Sequence, residues 1–94
     1  MKKYEIMYIL NPNLSAEDTK KQIELVNKIF ADNASKVLTV KEIGLKDLAY
    51  EIEGNHKGYY VWAEVEANNQ AVNEYNRIVG YEENIIRHII VKED

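Results

Sequence analysis

The sequence predicts an α+β protein in which two helices cover one face of a four-stranded antiparallel sheet. Segments in which apolar and polar residues alternate, as in strands with one buried face, occur at the start, in the middle and at the end of the chain. Two segments with apolar residues at helical spacing lie between them. The order of elements is therefore strand, helix, strand, strand, helix, strand.

The first strand and the first helix have clear boundaries. Residues 4–10 alternate, with one phase wholly apolar, and Asn-Pro-Asn at residues 11–13 stops the strand. Ser15 precedes Asp18 by three residues, a variant of the capping box that predicts a helix start. This helix is expected to end in the polar residues 32–35. Its apolar stripe consists of Thr19, Ile23, Val26 and Phe30, flanked by Leu25 and Ile29.

The middle of the chain predicts a β-hairpin. Residues 37–52 are long for one strand and Gly44 interrupts them, so a bulge or a bend is expected there. Residues 54–58, Gly-Asn-His-Lys-Gly, are predicted to form the turn, and residues 59–66 alternate again as the third strand. The alternation does not fix which face of the sheet Tyr50 takes.

The last helix and the last strand complete a known pattern. Gly80 is a suitable left-handed cap for the second helix, and residues 85–92 are predicted to be the fourth strand. This order is the split β-α-β arrangement of the ferredoxin-like sandwich, which leaves one face of the sheet open. The fold alone does not define a function. The apolar positions of the second helix are Ala71, Tyr75, Ile78 and Val79.

Length and composition exclude several classes of protein. The chain has 94 residues, no cysteine and a net charge of −4. Disulfide scaffolds and thiolate metal sites are therefore excluded, and non-specific coating of nucleic acid is disfavoured. No segment is apolar enough to span a membrane, and Glu5 lies where a signal peptide needs apolar residues. We expect a single soluble domain, residues 1–94, in the cytoplasm.

No candidate catalytic, metal or cofactor site is found in the sequence, so we expect a protein that is not an enzyme. His56 in the predicted turn and His88 in the fourth strand have no carboxylate at metal-ligand spacing. The only serines are Ser15, a helix cap, and Ser35, a loop residue, which leaves little for a catalytic triad. No glycine-rich stretch matches a phosphate-binding loop.

Two short segments resemble an RNA-recognition motif, but their phase argues against it. Residues 57–61 and 7–11 resemble its octamer and hexamer. The base-stacking positions would be Tyr8, Tyr59 and Val61, which lie in the apolar phases that should face the helices. The open face is expected to present Met7, Ile9, Tyr60 and Trp62.

Basic residues occur near both ends of the chain. Lys2 and Lys3 lead into the first strand, and Arg87 and Lys92 lie on the fourth. These strands are neighbours in a ferredoxin-like sheet, so the four cations are expected to converge. On composition alone, such a cluster is more often a solvated edge than an RNA contact.

One segment resembles a family signature. Residues 44–52, Gly-Leu-Lys-Asp-Leu-Ala-Tyr-Glu-Ile, resemble that of the bacterial small-ribosomal-subunit protein six family, Gly-x-basic-x-Leu-Ala-Tyr-x-Ile. Residues 4–14, 57–62 and 84–88, with Lys92, resemble other segments of that family in order and spacing. The resemblance runs along almost the whole chain without a gap.

The resemblance implies a ferredoxin-like structural protein of the small ribosomal subunit rather than an enzyme. Members of the family bind the central domain of small-subunit ribosomal RNA together with a small basic partner, ribosomal protein eighteen. That partner would supply much of the positive charge, consistent with the acidic balance of this chain. The resemblance implies neither a membrane partner nor a small-molecule substrate.

The family's contact residues carry over by position in two groups. The candidates on the RNA side are Lys2, Lys3, Tyr4 (only as a packing neighbour), Arg87 and Lys92. The candidates on the partner side, along the second strand and the open face, are Lys41, Glu42, Lys46, Asp47, Tyr50, Tyr60 and Trp62. Asp47 departs from the family, in which a basic residue is commoner at that position.

A second class of function stays open on the residues themselves. A ferredoxin-like domain also serves as a regulatory or oligomerisation module that binds a small metabolite between subunits. Dimerisation of the open sheet faces through Tyr60 and Trp62 would be the signature of that class.

Overall fold

The chain has the predicted β-α-β-β-α-β order. The structure is a computed structural model that describes residues 1–93, so Asp94 lies outside the described residues. The elements are β1 (Lys2–Leu10), α1 (Ala16–Asp32), β2 (Lys36–Ile52), β3 (Asn55–Ala67), α2 (Asn69–Tyr81) and β4 (Ile85–Lys92).

The four strands form one antiparallel sheet in the order β2-β3-β1-β4. This topology, with both helices packed on one face, confirms the ferredoxin-like fold class. β2 and β4 are the edge strands, and β1 lies between β3 and β4. Within residues 1–93, neither helix is long and apolar enough to cross a bilayer.

The core lies between the sheet and the two helices. α1 begins at Ser15, whose Oγ accepts a hydrogen bond from the Asp18 amide at 3.1 Å, as its sequence predicts. Alternate residues of β1 and β3 point into the core, in the predicted phase. The largest buried side chains are Tyr8, Tyr75, Phe30, Ile6, Leu10, Val26, Val61, Val65 and Val79.

The turn between β2 and β3 is shorter than predicted, and the prediction of residues 54–58 is wrong. Only Glu53 and Gly54 form the turn, and both have positive φ, 50° and 80°. Two left-handed residues in a two-residue turn match the right-handed twist of the flanking strands. Asn55 therefore already pairs with Ile52, and His56 lies in β3 rather than in a turn.

Gly80 does not cap α2, contrary to the prediction. The helix continues to Tyr81, and its C-cap is Glu82 in an extended conformation, with its amide bonded to the Val79 carbonyl at 3.2 Å. Because Glu82 already satisfies a terminal carbonyl in this way, no left-handed residue is needed at position 80.

Gly44 lies in a β-bulge, as predicted. The pairing register of β2 with β3 shifts between Glu42 and Gly44, and Gly44 has a φ of 100°, which a side chain rarely tolerates. Beyond the bulge, β2 and β3 continue past the end of β1, whose last paired residue is Leu10 opposite Tyr59. We call this projecting segment, residues 46–58, the hairpin arm.

The hairpin arm lies across the open face at one end of the sheet. Leu48 of the arm and Ile9 both lie beside Gly58, and Ile9 is only 8% exposed although it points away from the helices. Tyr50 contacts Arg87 on β4, at the opposite edge of the sheet from the body of β2. The arm therefore covers part of a face that the sequence predicts to be fully open.

Candidate functional site

Most of the candidate residues lie at the two ends of the sheet and along one of its edges. The lysine end is the end at which β1 begins and β4 finishes, and it carries Lys2, Lys3 and Lys92. The hairpin end is the end at which β1 finishes, and it carries Arg87 together with Tyr50 of the hairpin arm. The edge is β2, which pairs only with β3.

The lysine end is built by the pairing of the two terminal strands. Tyr4 lies opposite Lys92, and the Glu93 amide donates a hydrogen bond to the Lys3 carbonyl at 2.9 Å. Tyr4 is half-buried and packs against the core. A wide surface hollow of about 940 Å³ lies here, lined by Lys2, Lys3, Glu5, Glu64, Lys92 and Glu93.

Like charges are held close together at the lysine end. Lys2 and Lys92 line the same hollow, and the nearby Lys2 ammonium lowers the pKa of Lys92. Desolvation raises the pKa of the Glu93 carboxyl, and the neighbouring carboxylates of Glu64 and Glu5 raise it further, with Lys3 acting in the opposite direction. An anion placed between Lys2 and Lys92 would relieve their repulsion.

The hairpin end holds a single arginine against an aromatic ring. Arg87 Nη1 donates a hydrogen bond to the Tyr50 hydroxyl, and the guanidinium carbon lies 5.6 Å from the centre of the Tyr50 ring. That separation is within the range of cation–π attraction. Arg87 lies opposite Ile9, on the open face, so the structure fixes the side of Tyr50 that the sequence leaves undetermined.

The four cations do not all converge, which corrects the expectation. Lys2, Lys3 and Lys92 meet at the lysine end, but Arg87 is five residues earlier than Lys92 on β4. At about 3.3 Å per residue, this places it roughly 16 Å away. The pattern of the sequence indicates that β1 and β4 are neighbours, but not that Arg87 and Lys92 lie near opposite ends of the same strand.

The charged candidates on β2 lie on both sides of this edge strand. Lys41 is opposite Trp62 and Lys46 is opposite Gly58. Glu42 accepts a hydrogen bond from the Tyr59 hydroxyl at 2.8 Å, which raises the pKa of Tyr59.

The departure from the family at Asp47 is accompanied by a local partner. Asp47 forms an exposed ion pair with Lys57 at 3.9 Å, across the β2–β3 pairing. An exposed pair of this kind contributes little to stability, so Asp47 remains accessible to another partner.

The open face carries an apolar strip with an acidic border. Trp62 and Tyr60 are half-buried on this face, opposite Met7 and Ile9. Two exposed apolar residues of β4, which the sequence reasoning missed, extend the strip, and the register of β4 against β1 is the signal that places them there. They are Ile89 and Val91, 51% and 53% exposed. The acidic border is formed by Glu5, Glu64 and Glu66.

The argument against base stacking is confirmed. Tyr8 and Val61 are fully buried under the helices, and Tyr59 packs against the same core. An RNA base therefore has no access to the positions at which an RNA-recognition motif stacks bases.

The residues considered for catalysis take part in structural contacts. Ser35 Oγ donates to the Asn33 carbonyl at 3.1 Å, and His56 lies 3.7 Å from Glu51. His88 meets the Tyr75 ring edge-on, with ring centres 5.6 Å apart, and burial lowers the pKa of His88. In the described part of the chain, no three His, Asp or Glu side chains group closely enough to hold a metal ion.

Comparisons with known proteins agree on one family. A family model described as ribosomal protein S6 matches residues 3–92. The small ribosomal subunit protein bS6 of Phytoplasma mali (strain AT) is 51% identical over 94 residues, with 100% of both chains covered. The protein of the same name from Acholeplasma laidlawii (strain PG-8A) is 52% identical over 93 residues, which cover 99% of this chain and 98% of the relative.

A solved structure agrees with this result. The crystal structure of the 30S ribosomal protein S6 from Thermotoga maritima superimposes with a TM-score of 0.92 at 27% identity. The match covers 98% of this chain and 87% of that chain.

Proposed function

The chain belongs to the ribosomal protein S6 family and is a protein of the small subunit of the cytoplasmic ribosome, and from that premise we propose that it is a structural RNA-binding protein rather than an enzyme. In this proposal residues 1–94 act as one domain. The domain binds the central domain of small-subunit ribosomal RNA jointly with ribosomal protein eighteen.

The observation that carries the RNA part of the proposal is the pair of lysines at the lysine end. Lys2 and Lys92 line one hollow together with Lys3, and the proximity of Lys2 lowers the pKa of Lys92. Among the residues that the structure describes, neither forms a salt bridge with a carboxylate. A phosphate of the RNA backbone carries one negative charge, and placed between the two ammonium groups it would offset part of their repulsion.

The partner part of the proposal is supported by the surface that combines an edge strand, exposed aromatics and carboxylates. A basic protein would find a carboxylate border around the apolar strip that contains Trp62 and Tyr60. Along the free edge of β2, Lys41 and Lys46 discourage pairing with a second copy of the chain, while Glu42 and Asp47 attract a basic partner. Tyr50, which the hairpin arm carries across the end of the open face to Arg87, would extend this surface beyond the β2 edge.

The mechanism follows from the small number of cations. Few phosphate contacts give weak binding, and contacts to phosphates position a protein on RNA more than they select a sequence. Ribosomal protein eighteen would add its own positive charge beside this chain, so the two proteins together would form the complete binding surface. We therefore expect weak RNA binding by the isolated chain and much tighter binding by the pair.

The test is binding to a central-domain ribosomal RNA fragment, with and without ribosomal protein eighteen, across a series of salt concentrations. We expect the partner to raise the affinity at every salt concentration. For the contribution of this chain, we expect a slope of log K against log salt no steeper than about −4, since each neutralised phosphate contributes ~0.7–0.9.

Two results would contradict the proposal. The joint mechanism is wrong if the isolated chain binds the RNA as tightly as the pair does. Absence of RNA binding by the pair, combined with a mass by light scattering that rises with concentration, would instead favour a dimeric metabolite-binding module.

A further inference from the structure

We propose that Tyr50 is a positioning residue that couples the partner surface to the RNA surface by holding Arg87. This inference rests on the proposed function, in which Tyr50 faces the partner and Arg87 faces the RNA. The sequence separates the two residues by 37 positions, and the hairpin arm brings them into contact.

The coupling depends on the route of the hairpin arm. Tyr50 belongs to β2, at one edge of the sheet, and Arg87 belongs to β4, at the other edge. Their contact exists because the arm crosses the end of β1, where Leu48 and Ile9 both border Gly58. A partner that covers the β2 edge is thereby linked to a cation three strands away.

Arg87 keeps the donors that phosphate recognition needs. Its Nη1 donates to the Tyr50 hydroxyl, and the Nε and Nη2 edge of the guanidinium has no salt-bridge partner within residues 1–93. Two parallel N–H groups on one edge match two oxygens of a phosphate. The contact with Tyr50 therefore restrains the side chain and leaves its binding edge available.

Restraint before binding raises affinity, because a mobile arginine side chain must lose its rotamer freedom when it contacts RNA. Tyr50 removes part of that freedom in advance. Tyr50 is 59% exposed, so a partner that packs on it would immobilise the hairpin arm and, with it, Arg87. The coupling is positive, and by linkage RNA bound at Arg87 strengthens partner binding by the same factor.

The first experiment measures the restraint without RNA. The chain has two arginines, Arg77 and Arg87, so their side-chain Nε signals are resolved in an NMR relaxation measurement. We expect the Arg87 Nε–H to be less mobile in the wild type than in Tyr50→Ala, and to be restricted further by ribosomal protein eighteen in the wild type alone. Arg77 is paired with Glu74 at 2.6 Å and should be unchanged throughout, which makes it an internal control. Equal mobility of Arg87 in the wild type and in Tyr50→Ala would overturn the inference.

The second experiment is a double-mutant cycle on RNA binding by the pair, with ribosomal protein eighteen at saturating concentration. We expect Tyr50→Ala to weaken RNA binding about three- to tenfold, and Tyr50→Phe, which keeps the ring, to weaken it less. In the Arg87→Ala background, Tyr50→Ala should have no further effect. Leu45→Ala, at an equally exposed apolar position of β2 that does not touch Arg87, is the matched control and should bind as the wild type does.

The outcomes separate the inference from the proposed function. Additive effects of the Tyr50 and Arg87 substitutions, with normal binding by the wild-type pair, would overturn the coupling alone. A wild-type pair that does not bind the RNA would overturn the proposed function and the coupling together. A thermal unfolding curve of each variant verifies that the hairpin arm substitutions leave the domain folded.

Discussion

The two ends of the sheet hold positive charge in opposite ways. At the lysine end, Lys2 and Lys92 are placed side by side and repel each other, which lowers the pKa of Lys92. At the hairpin end, Arg87 is attracted to the Tyr50 ring and bonded to its hydroxyl. The lysines are therefore in an unfavourable arrangement that an anion relieves, whereas the arginine is already held in place before any ligand arrives.

Charge alone does not define a binding site at either end of this sheet. Lysine is a compact charge on a flexible chain, and the strand termini bring the two ammonium groups together without fixing their side chains. Arginine has a planar group that an aromatic ring can orient. We expect the lysine end to respond mainly to salt, and the hairpin end to respond mainly to changes in packing.

The largest effect is expected from a substitution that pushes the hairpin arm away from the sheet. A Cβ at Gly58 would overlap Cγ2 of Ile9 and touch Leu48, so Gly58→Ala should lower the free energy of unfolding by about 1–3 kcal/mol. Urea denaturation measures this change. Gly80→Ala is the control, because a Cβ there meets no neighbouring atom, and this helical site should gain about 0.4–1 kcal/mol. Equal effects of both substitutions would show that the arm does not press on Ile9.

An intermediate effect is expected at the lysine end. The double substitution Lys2→Ala and Lys92→Ala should reduce the steepness of the salt dependence of RNA binding by about 2 and weaken binding about tenfold near 0.1 M salt. Filter binding or fluorescence anisotropy with the pair measures both quantities.

The control for this experiment is a change of equal charge on α1. Lys20→Ala with Lys21→Ala removes two exposed lysines on the helical side and should leave the salt slope unchanged. If both double variants change the slope by the same amount, then net charge rather than the lysine end determines RNA binding.

The smallest effect is a pH dependence of stability from β4, between the two ends. Burial holds the pKa of His88 below the value of about 6.5 of an exposed imidazole, so protonation of His88 opposes folding. Its contribution to stability is complete above that pH and is lost as the pH falls below it. We expect His88→Gln to reduce the loss of stability between pH 7 and pH 5, measured by urea denaturation at each pH. His56→Gln, at an exposed position, is the control substitution.

The sequence was sufficient for the fold because the fold depends on local patterns. The alternation of residues 4–10 and the apolar stripe of α1 each define a buried face, and the glycine at position 44 marks the bulge. The turn was predicted too long because Glu53, a residue without a turn preference, adopts a left-handed conformation there. Gly80 is predicted as a cap because glycine readily adopts the left-handed conformation of a helix cap. The helix instead ends with the hydrogen bond from the Glu82 amide to the Val79 carbonyl.

The candidate site could be predicted only in part. Which strands are neighbours follows from the fold class, and this brings the three lysines together. The path of the hairpin arm does not follow from any sequence periodicity. It depends on how far β2 and β3 extend beyond β1 and on the twist between β2 and β3. Sequence patterns therefore do not predict the contact of Tyr50 with Arg87 or the burial of Ile9.

Because the first strand pairs with the last, the lysine end can form only late in protein synthesis. Lys2 is among the first residues to be translated and Lys92 is translated 90 positions later, which takes roughly 5–20 s at ~5–20 residues per second. During that interval β1 lacks its neighbour β4, and the two ammonium groups are not together. A nascent chain that stops before β4 therefore cannot present the lysine pair, and the pair exists only in a chain translated through Lys92.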